Sequence, residues 1–265
     1  MKRTSLVSAS ALVLALLLGL AGPAAAKGRG DRIIVTPDNQ QGWSTADTRP
    51  GGAVNFVVDA TTPSGRGALQ LTTDATTTAK AQYLHAANTP LADVTDLSYY
   101  TKQNSALFPG GDPSYQLITF LNGGTTGFTT LVFEPYQNPL QGAVVPGLWQ
   151  QWDVDAGLFW STRTVTCSNG TIAGTPGGPA TYTLAELKST CPTAMVAGFG
   201  VNIGSNNPGY NVETDLFNFN GTVYDFEPAH DCGKAKDHDG DESDMANCGH
   251  HDDHDGDNDT DEHDD

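Results

Sequence analysis

The stretch from Tyr210 to Pro228 reads YNVETDLFNFNGTVYDFEP, and its alternation sets the fold class. Successive side chains of an extended chain point to opposite faces. Val212, Thr214, Leu216 and Asn218 are therefore expected on one face, and Glu213, Asp215, Phe217 and Phe219 on the other. Asn220-Gly221 supplies two residues that tolerate positive φ, the composition of a two-residue hairpin turn. Thr222–Phe226 then gives the return strand. The segment is expected to be a terminal β-hairpin.

Upstream, the same texture recurs. Short alternating runs stand at Ile33–Val35, Val54–Asp59, Gly67–Thr72, Ala79–His85, Ser98–Gln103, Tyr115–Asn122, Phe128–Glu134, Trp149–Asp155 and Ala194–Ile203, separated by Gly, Pro, Asn and Asp. Short strands with turn chemistry between them point to an all-β sandwich or barrel. No long helix separates the runs, which argues against a parallel α/β sheet, and no fixed-period repeat is visible. The expectation is an antiparallel two-sheet β-sandwich of the jelly-roll kind. One helix is expected over Leu184–Ser189, behind Thr183 as N-cap with Glu186 three residues on, as in a capping box.

Trp149, Trp152 and Trp160 crowd into GLWQQWDVDAGLFW, Gly147 to Trp160. Alternation puts Gln150, Trp152, Val154 and Ala156 on the core side and Trp149, Gln151, Asp153 and Asp155 on the other. The second set suits a sugar, because a ring stacks on pyranose C–H groups while amides and acids take hydroxyls. Packing of Trp149 against a neighbouring loop explains the same pattern. Tyr136, in EPYQNP, and Tyr210, in GSNNPGYN, sit in loops dense with polar groups, where binding residues concentrate. The candidate ligand-binding set is Trp149, Gln151, Asp153, Tyr136 and Tyr210.

The closing hairpin resembles the last hairpin of secreted jelly-roll modules of the carbohydrate-binding kind, through Asp215, Leu216, Phe217, Phe219, Gly221, Tyr224, Phe226 and Glu227. PGLWQQWDV resembles an inner strand of such modules, and GRGALQLTT an early one. The resemblance implies a sandwich and a glycan or extracellular polymer as partner, without assigning sugar contacts. Glu213-Thr214-Asp215 also resembles the start of the Glu-x-Asp-x-x-Glu strand of concanavalin-like glucanases, which would make Glu213 and Asp215 catalytic in a polysaccharide-cleaving enzyme. Phe217 and Asn218 stand where the second glutamate belongs, so a retaining carboxylate pair is incomplete. The body's one histidine, His85, is expected near a strand end, and no G-x-S-x-G elbow is present. No catalytic residue is assigned.

Residues 229–265 carry fifteen Asp/Glu against two Lys and almost nothing apolar, so they cannot build a core and are expected to be disordered or ordered by calcium. Asp237, Asp239, Asp241 and Asp244, then Asp253, Asp255 and Asp257, give clustered hard oxygens suited to a weak calcium site. The runs resemble thrombospondin type-3 calcium repeats. Glu242 and Asn258 replace the glycine of an EF-hand loop, and six histidines admit other divalent metals. A structural or matrix protein working through this tail is a further reading. Four cysteines suit two disulfides in an oxidising compartment, with Cys167–Cys191 and Cys232–Cys248 the expected pairs.

The first 26 residues, with Lys2-Arg3, an apolar run and Ala24-Ala25-Ala26, read as a secretory signal. The run falls short of the ~20 residues of a membrane-spanning helix. The expected layout is signal 1–26, β-sandwich 27–228 and acidic tail 229–265, in an extracellular protein. A net charge of −18 disfavours nucleic acid and anionic membrane as partners.

Overall fold

The computed structural model describes residues 31–229. The expected secretory leader and the acidic tail beyond Ala229, with Cys232, Cys248 and every expected calcium ligand, lie outside the described residues. In chain order the strands are β1 (Arg32–Val35), β2 (Trp43–Ser44), β3 (Gly52–Val58), β4 (Gly67–Thr73), β5 (Ala81–Pro90), β6 (Leu97–Ser105), β7 (Ser114–Phe120) and β8 (Phe128–Phe133). They continue with β9 (Gln150–Asp153), β10 (Leu158–Ser161), β11 (Val165–Cys167), β12 (Gly170–Ile172), β13 (Tyr182–Thr183), β14 (Met195–Ile203), β15 (Asn211–Phe219) and β16 (Thr222–Phe226). The helix α1 (Leu184–Thr190) lies between β13 and β14.

Two seven-stranded sheets stack as a jelly-roll sandwich. The first holds β1, β16, β15, β4 and β3, with β6 and then β9 on the other side of β15; the second runs β13-β10-β8-β7-β14-β5-β2. The chain crosses between the sheets at β1–β2, β2–β3, β4–β5, β5–β6, β6–β7, β8–β9, β9–β10 and β14–β15. β1 joins β16 in parallel. The pairs that build the centre of both sheets are antiparallel.

The core is aromatic. Trp152, Tyr83, Tyr99, Tyr115, Phe133, Phe159, Phe199, Phe217 and Phe226 are fully or almost fully buried, and each such side chain contributes ~1.5–3 kcal/mol by leaving water. Trp43 stacks on Tyr83 at 5.3 Å and meets Phe199, Phe217, Tyr224 and Phe226 edge-on. The Trp152 indole, expected to face inward, has its Nε1–H satisfied by Thr101 Oγ1 at 2.7 Å, as a buried donor requires.

Strict alternation fails in β15. Leu216 has φ 47°, and pairing with β6 jumps from Asp215 opposite Tyr100 to Asn218 opposite Ser98. This is a bulge, an extra residue that shifts the parity of everything after it. Val212 therefore shares the core with Phe217 and Phe219. Glu213 lies on the outer face, against Lys102 and Asn104. The expected grouping of Glu213 with Phe217 and Phe219 is thus corrected. Before the bulge β15 pairs with β4, after it with β16. His85 is corrected too: it lies inside β5, its ring stacked on Phe199 at 4.9 Å.

The hairpin turn forms where expected, with Asn220 at φ 57° and Gly221 at φ 86°. Asn220 Oδ1 accepts from the Thr95 N–H at 2.8 Å, and Nδ2 donates to the Asp93 carbonyl at 3.1 Å. The capping box of α1 is present: the Glu186 N–H donates to Thr183 Oγ1 and the Thr183 N–H to Glu186 Oε2. Cys167 and Cys191 form the disulfide expected between them, tying β11 to the end of α1.

Two glycines separate backbone strain from crowding. A Cβ at Gly221 meets nothing within 4 Å, whereas at Gly65 (φ 63°) it would lie 1.4 Å from Glu227 Oε1. Gly221→Ala is expected to lower unfolding stability by about 1 kcal/mol, the cost of a left-handed alanine. Gly65→Ala should lower it further, because the Glu227 carboxylate must also move. Urea unfolding of both variants measures the difference, and equal losses would contradict it.

Candidate functional site

The outward side chains of the second sheet form two rows across its strands. In one, Trp160 of β10 stands opposite Val132 of β8, Val132 opposite Gln116 of β7, and Gln116 opposite Gly200 of β14. In the other, Ser114 stands opposite Asn202, and Asn202 opposite Gln82 of β5. The pattern follows from alternation: Gln116 is flanked by inward Tyr115 and Leu117, and Asn202 by inward Val201 and Ile203. Trp160, Val132 and Gln116 of the first row and Ser114 and Asn202 of the second floor a cleft of about 510 Å³. Its walls are loops: Phe108 and Asp112 before β7, Glu134 and Tyr136 after β8, Pro176-Gly177, and Gly204–Asn207 with Tyr210 before β15. Arg49 and Lys80 complete the lining.

The polar groups hold one another in place. Trp160 Nε1–H donates to Glu134 Oε2 at 2.7 Å, and Gln137 Nε2–H donates to the same oxygen at 2.5 Å. Asn202 Nδ2–H donates to Gln82 Oε1 at 3.0 Å, and Gln82 Nε2–H to the Ala46 carbonyl at 2.6 Å. Burial raises the Glu134 carboxyl, against the lowering effect of donors from Trp160, Gln137 and Tyr136. Phe108 and Tyr136 meet edge to face at 5.2 Å and are 49% and 40% exposed. They are the rings of the cleft whose surfaces remain open.

Asp112 is the most unusual carboxyl. It is buried at the cleft wall, where Oδ2 accepts from Thr101 Oγ1 and Oδ1 has no hydrogen-bond partner. Burial pushes it up to about 8, with the Thr101 bond pulling the other way, as expected when charge is removed from water.

The residues singled out from the sequence are divided between opposite faces. Tyr136 and Tyr210 meet in the cleft. Gln151 and Asp153 lie on the outer side of the first sheet, in a shallower groove of about 540 Å³ with Tyr100, Ser98 and Asn218. Tyr100 OH donates to Gln151 Oε1 at 3.0 Å. Trp149 is part-buried, with Nε1–H donating to Asp59 at 3.2 Å and the Lys102 ammonium 5.8 Å from its ring. It packs on the loop after β3 and lines neither cavity. Asp112, Gln116 and Asn202 escaped attention, although a single polar residue inside an apolar strand was a readable sign for the last two.

Glu213 and Asp215 do not line the cleft. Glu213 accepts from Asn104 Nδ2 at 2.7 Å. Asp215 is fully buried, accepting the Phe226 N–H at 3.1 Å. Burial first, then the neighbouring Asp225, pushes its carboxyl up to about 8. Asp225 is in turn held by Arg32. Among the described residues no group of three or more His, Cys, Asp and Glu side chains is placed to hold a metal ion.

No family model matches the chain, and no curated protein matches it. Among solved structures it is similar to the CBM22-1 xylan-binding domain of Xyn10C from Paenibacillus barcinonensis, at 14% identity and TM-score 0.32, covering 67% of this chain and 83% of that one. It is also similar to the family 11 carbohydrate-binding module from Clostridium thermocellum in complex with a β-1,3-1,4-mixed-linked tetrasaccharide. There the identity is 12% and the TM-score 0.39, covering 69% and 91%. An arabinose-bound GH51 α-L-arabinofuranosidase matches at 8% identity and TM-score 0.35, covering 69% of this chain and 23% of the enzyme.

The carboxyl of Asp112 ties stability to pH. Its folded-state value lies above the ordinary 3.8, so between about pH 4 and pH 8 the folded chain holds a proton that the unfolded chain has released. Stability falls as pH rises through that window, by up to about 1.4 kcal/mol per pH unit for one full proton. Asp112→Asn removes this contribution. Its melting temperature relative to wild type is expected to climb from pH 5 to pH 8 in thermal scans, and a constant offset would refute the assignment.

Proposed function

We propose that this chain is a secreted, non-catalytic module that binds a glycan in the cleft across the second sheet. One observation carries the reading: exposed rings of Tyr136 and Phe108 stand at the wall of an open cleft floored by amide and hydroxyl side chains. Sugars present apolar C–H faces and rings of hydroxyls, so a flat aromatic surface beside donors and acceptors matches both. Gln116, Thr130 and Asn202 supply the polar floor. The lining spans the four neighbouring strands β10, β8, β7 and β14, a reach suited to an oligosaccharide segment within a longer chain. Extracellular placement rests on the leader expected over residues 1–26 and accords with the Cys167–Cys191 disulfide.

Affinity electrophoresis through gels containing β-glucans, xylans, mannans and uronate-bearing polysaccharides tests the proposal. Wild type should be retarded by at least one. Tyr136→Ala and Phe108→Ala should each weaken retention about tenfold, the loss of one stacking ring, with melting temperature preserved. Trp149→Ala, on the opposite sheet, should leave retention unchanged. Absence of retention in every gel, or loss only with Trp149→Ala, would remove the cleft as the site.

For the tail, carboxylate spacing at Asp237, Asp239, Asp241 and Asp244 and at Asp253, Asp255 and Asp257 supports weak calcium binding. Calorimetry of the full chain against the same chain ended at Pro228 should show a calcium heat that only the full chain produces. Equal heats would refute a site in the tail.

A further inference from the structure

The described residues contain seven Lys and Arg side chains. Most are engaged away from the cleft: Arg32 with Asp225, Lys102 with Asp59 and Glu213, Lys188 with the Val94 carbonyl, and Arg163 over the Phe128 ring. Arg49 and Lys80 line the cleft. They bridge backbone to backbone just ahead of β5, four strands across the sheet from Trp160 on β10. At the usual strand spacing that is about 19 Å.

The two ends therefore differ in charge. Lys80 Nζ pairs with Asp47 Oδ2 at 2.5 Å, so Asp47 balances one of the two cations. Arg49 Nε lies 3.8 Å from the same carboxylate, and Nη1–H donates to Ser205 Oγ at 3.1 Å. The Arg49 side chain is half exposed, with guanidinium N–H groups left over for a planar acceptor. Of the carboxyls lining the cleft, Glu134 is occupied by the Trp160 and Gln137 donors. Asp112 is mostly protonated at neutral pH. Neither places a free negative charge beside Arg49.

We propose that the cleft selects a polysaccharide whose neutral backbone carries sparse carboxylates, Arg49 taking a uronate carboxylate at the β5 end. The proposal rests on the glycan reading above and adds the ligand class. A guanidinium fork matches a carboxylate in two parallel hydrogen bonds, a geometry that neutral hydroxyls do not use. Sparseness follows from the rest of the molecule. At −18 overall the chain repels dense polyanions, but at physiological salt that repulsion is screened beyond ~8 Å, so an isolated carboxylate reaching Arg49 keeps its local gain. Serine and asparagine side chains at residues 205–207, beside Arg49, provide hydroxyl and amide partners for the sugar bearing the acid.

The test compares glucuronoxylan with the same polymer after its carboxyls have been reduced to alcohols, in calorimetric titrations of the full chain. The native polymer should bind about tenfold more tightly than the reduced one, the worth of a charge-assisted hydrogen bond. Raising salt from about 50 mM to about 0.5 M should erase most of that preference. Arg49→Gln should bind both forms alike, at the affinity of wild type for the reduced polymer, and Arg49→Lys should restore part of the preference. Equal binding of both forms by wild type would overturn the uronate inference and leave the glycan reading intact. So would binding of neutral glucans without glucuronoxylan, or tighter binding of homogalacturonan than of glucuronoxylan. Failure of every polysaccharide would overturn both.

Discussion

β15 holds the first sheet together, and the extra residue at Leu216 lets it do so. On one side the strand follows β6 along its length; on the other it serves β4 and then β16. A strand with unbroken alternation would present Glu213 to the interior together with Phe217 and Phe219, among rings and away from the Lys102 ammonium. The shift at Leu216 keeps Val212 and the two phenylalanines inside and leaves Glu213 outside, within reach of Lys102. The positive φ at a leucine is unfavourable locally, and the pairing on both sides of the strand holds it there.

From that strand the aromatic core extends to the opposite sheet. Phe217 stacks on Tyr115 at 4.2 Å, and Phe219 on Phe199 at 4.1 Å. Tyr115 and Phe199 are inward members of β7 and β14. Because each sits at a fixed place on its strand, their packing fixes which neighbours face outward, and those neighbours include Gln116 and Asn202. The cleft floor is thus the reverse side of the core: the contacts that close the sandwich also set the register of the polar rows. A slip of one residue in β7 would put Gln116 in the core and Tyr115 in the cleft.

Much of the architecture could be read from alternation and turn chemistry. All eleven strand runs noted in the sequence correspond to strands, and Thr183 with Glu186 marked the helix start through a local interaction that sequence spacing determines. What escaped was either very short or non-local. Trp43–Ser44, Leu158–Ser161, Val165–Cys167, Gly170–Ile172 and Tyr182–Thr183 span two to four residues, too few for a period to show. The bulge has no local sign, since Leu216 is neither glycine nor asparagine. The cleft draws on residues 49 through 210, and only the order of strands in the second sheet brings them together. Gln151 and Tyr136 both carry the chemistry of sugar contact, yet they project from different sheets, a distinction that composition does not encode.

The same topology explains why the cleft is chemically uneven. The strands next to the edges of the second sheet, β10 on one side and β5 on the other, border different loops. β10 lies near the 134–141 segment, rich in proline and amides, and contributes Trp160 and, through it, the buried Glu134. β5 begins beside the Arg49–Lys80 bridge, where both cations lie near Asp47. Lys80 is the main partner of Asp47, at shorter range and with less exposure than Arg49. The fold therefore accounts for the lysine, while the half-exposed guanidinium of Arg49 is more charge than Asp47 needs. In a chain this acidic, a surplus cation set at the mouth of the cleft has its strongest physical use in meeting an anionic group that arrives from outside.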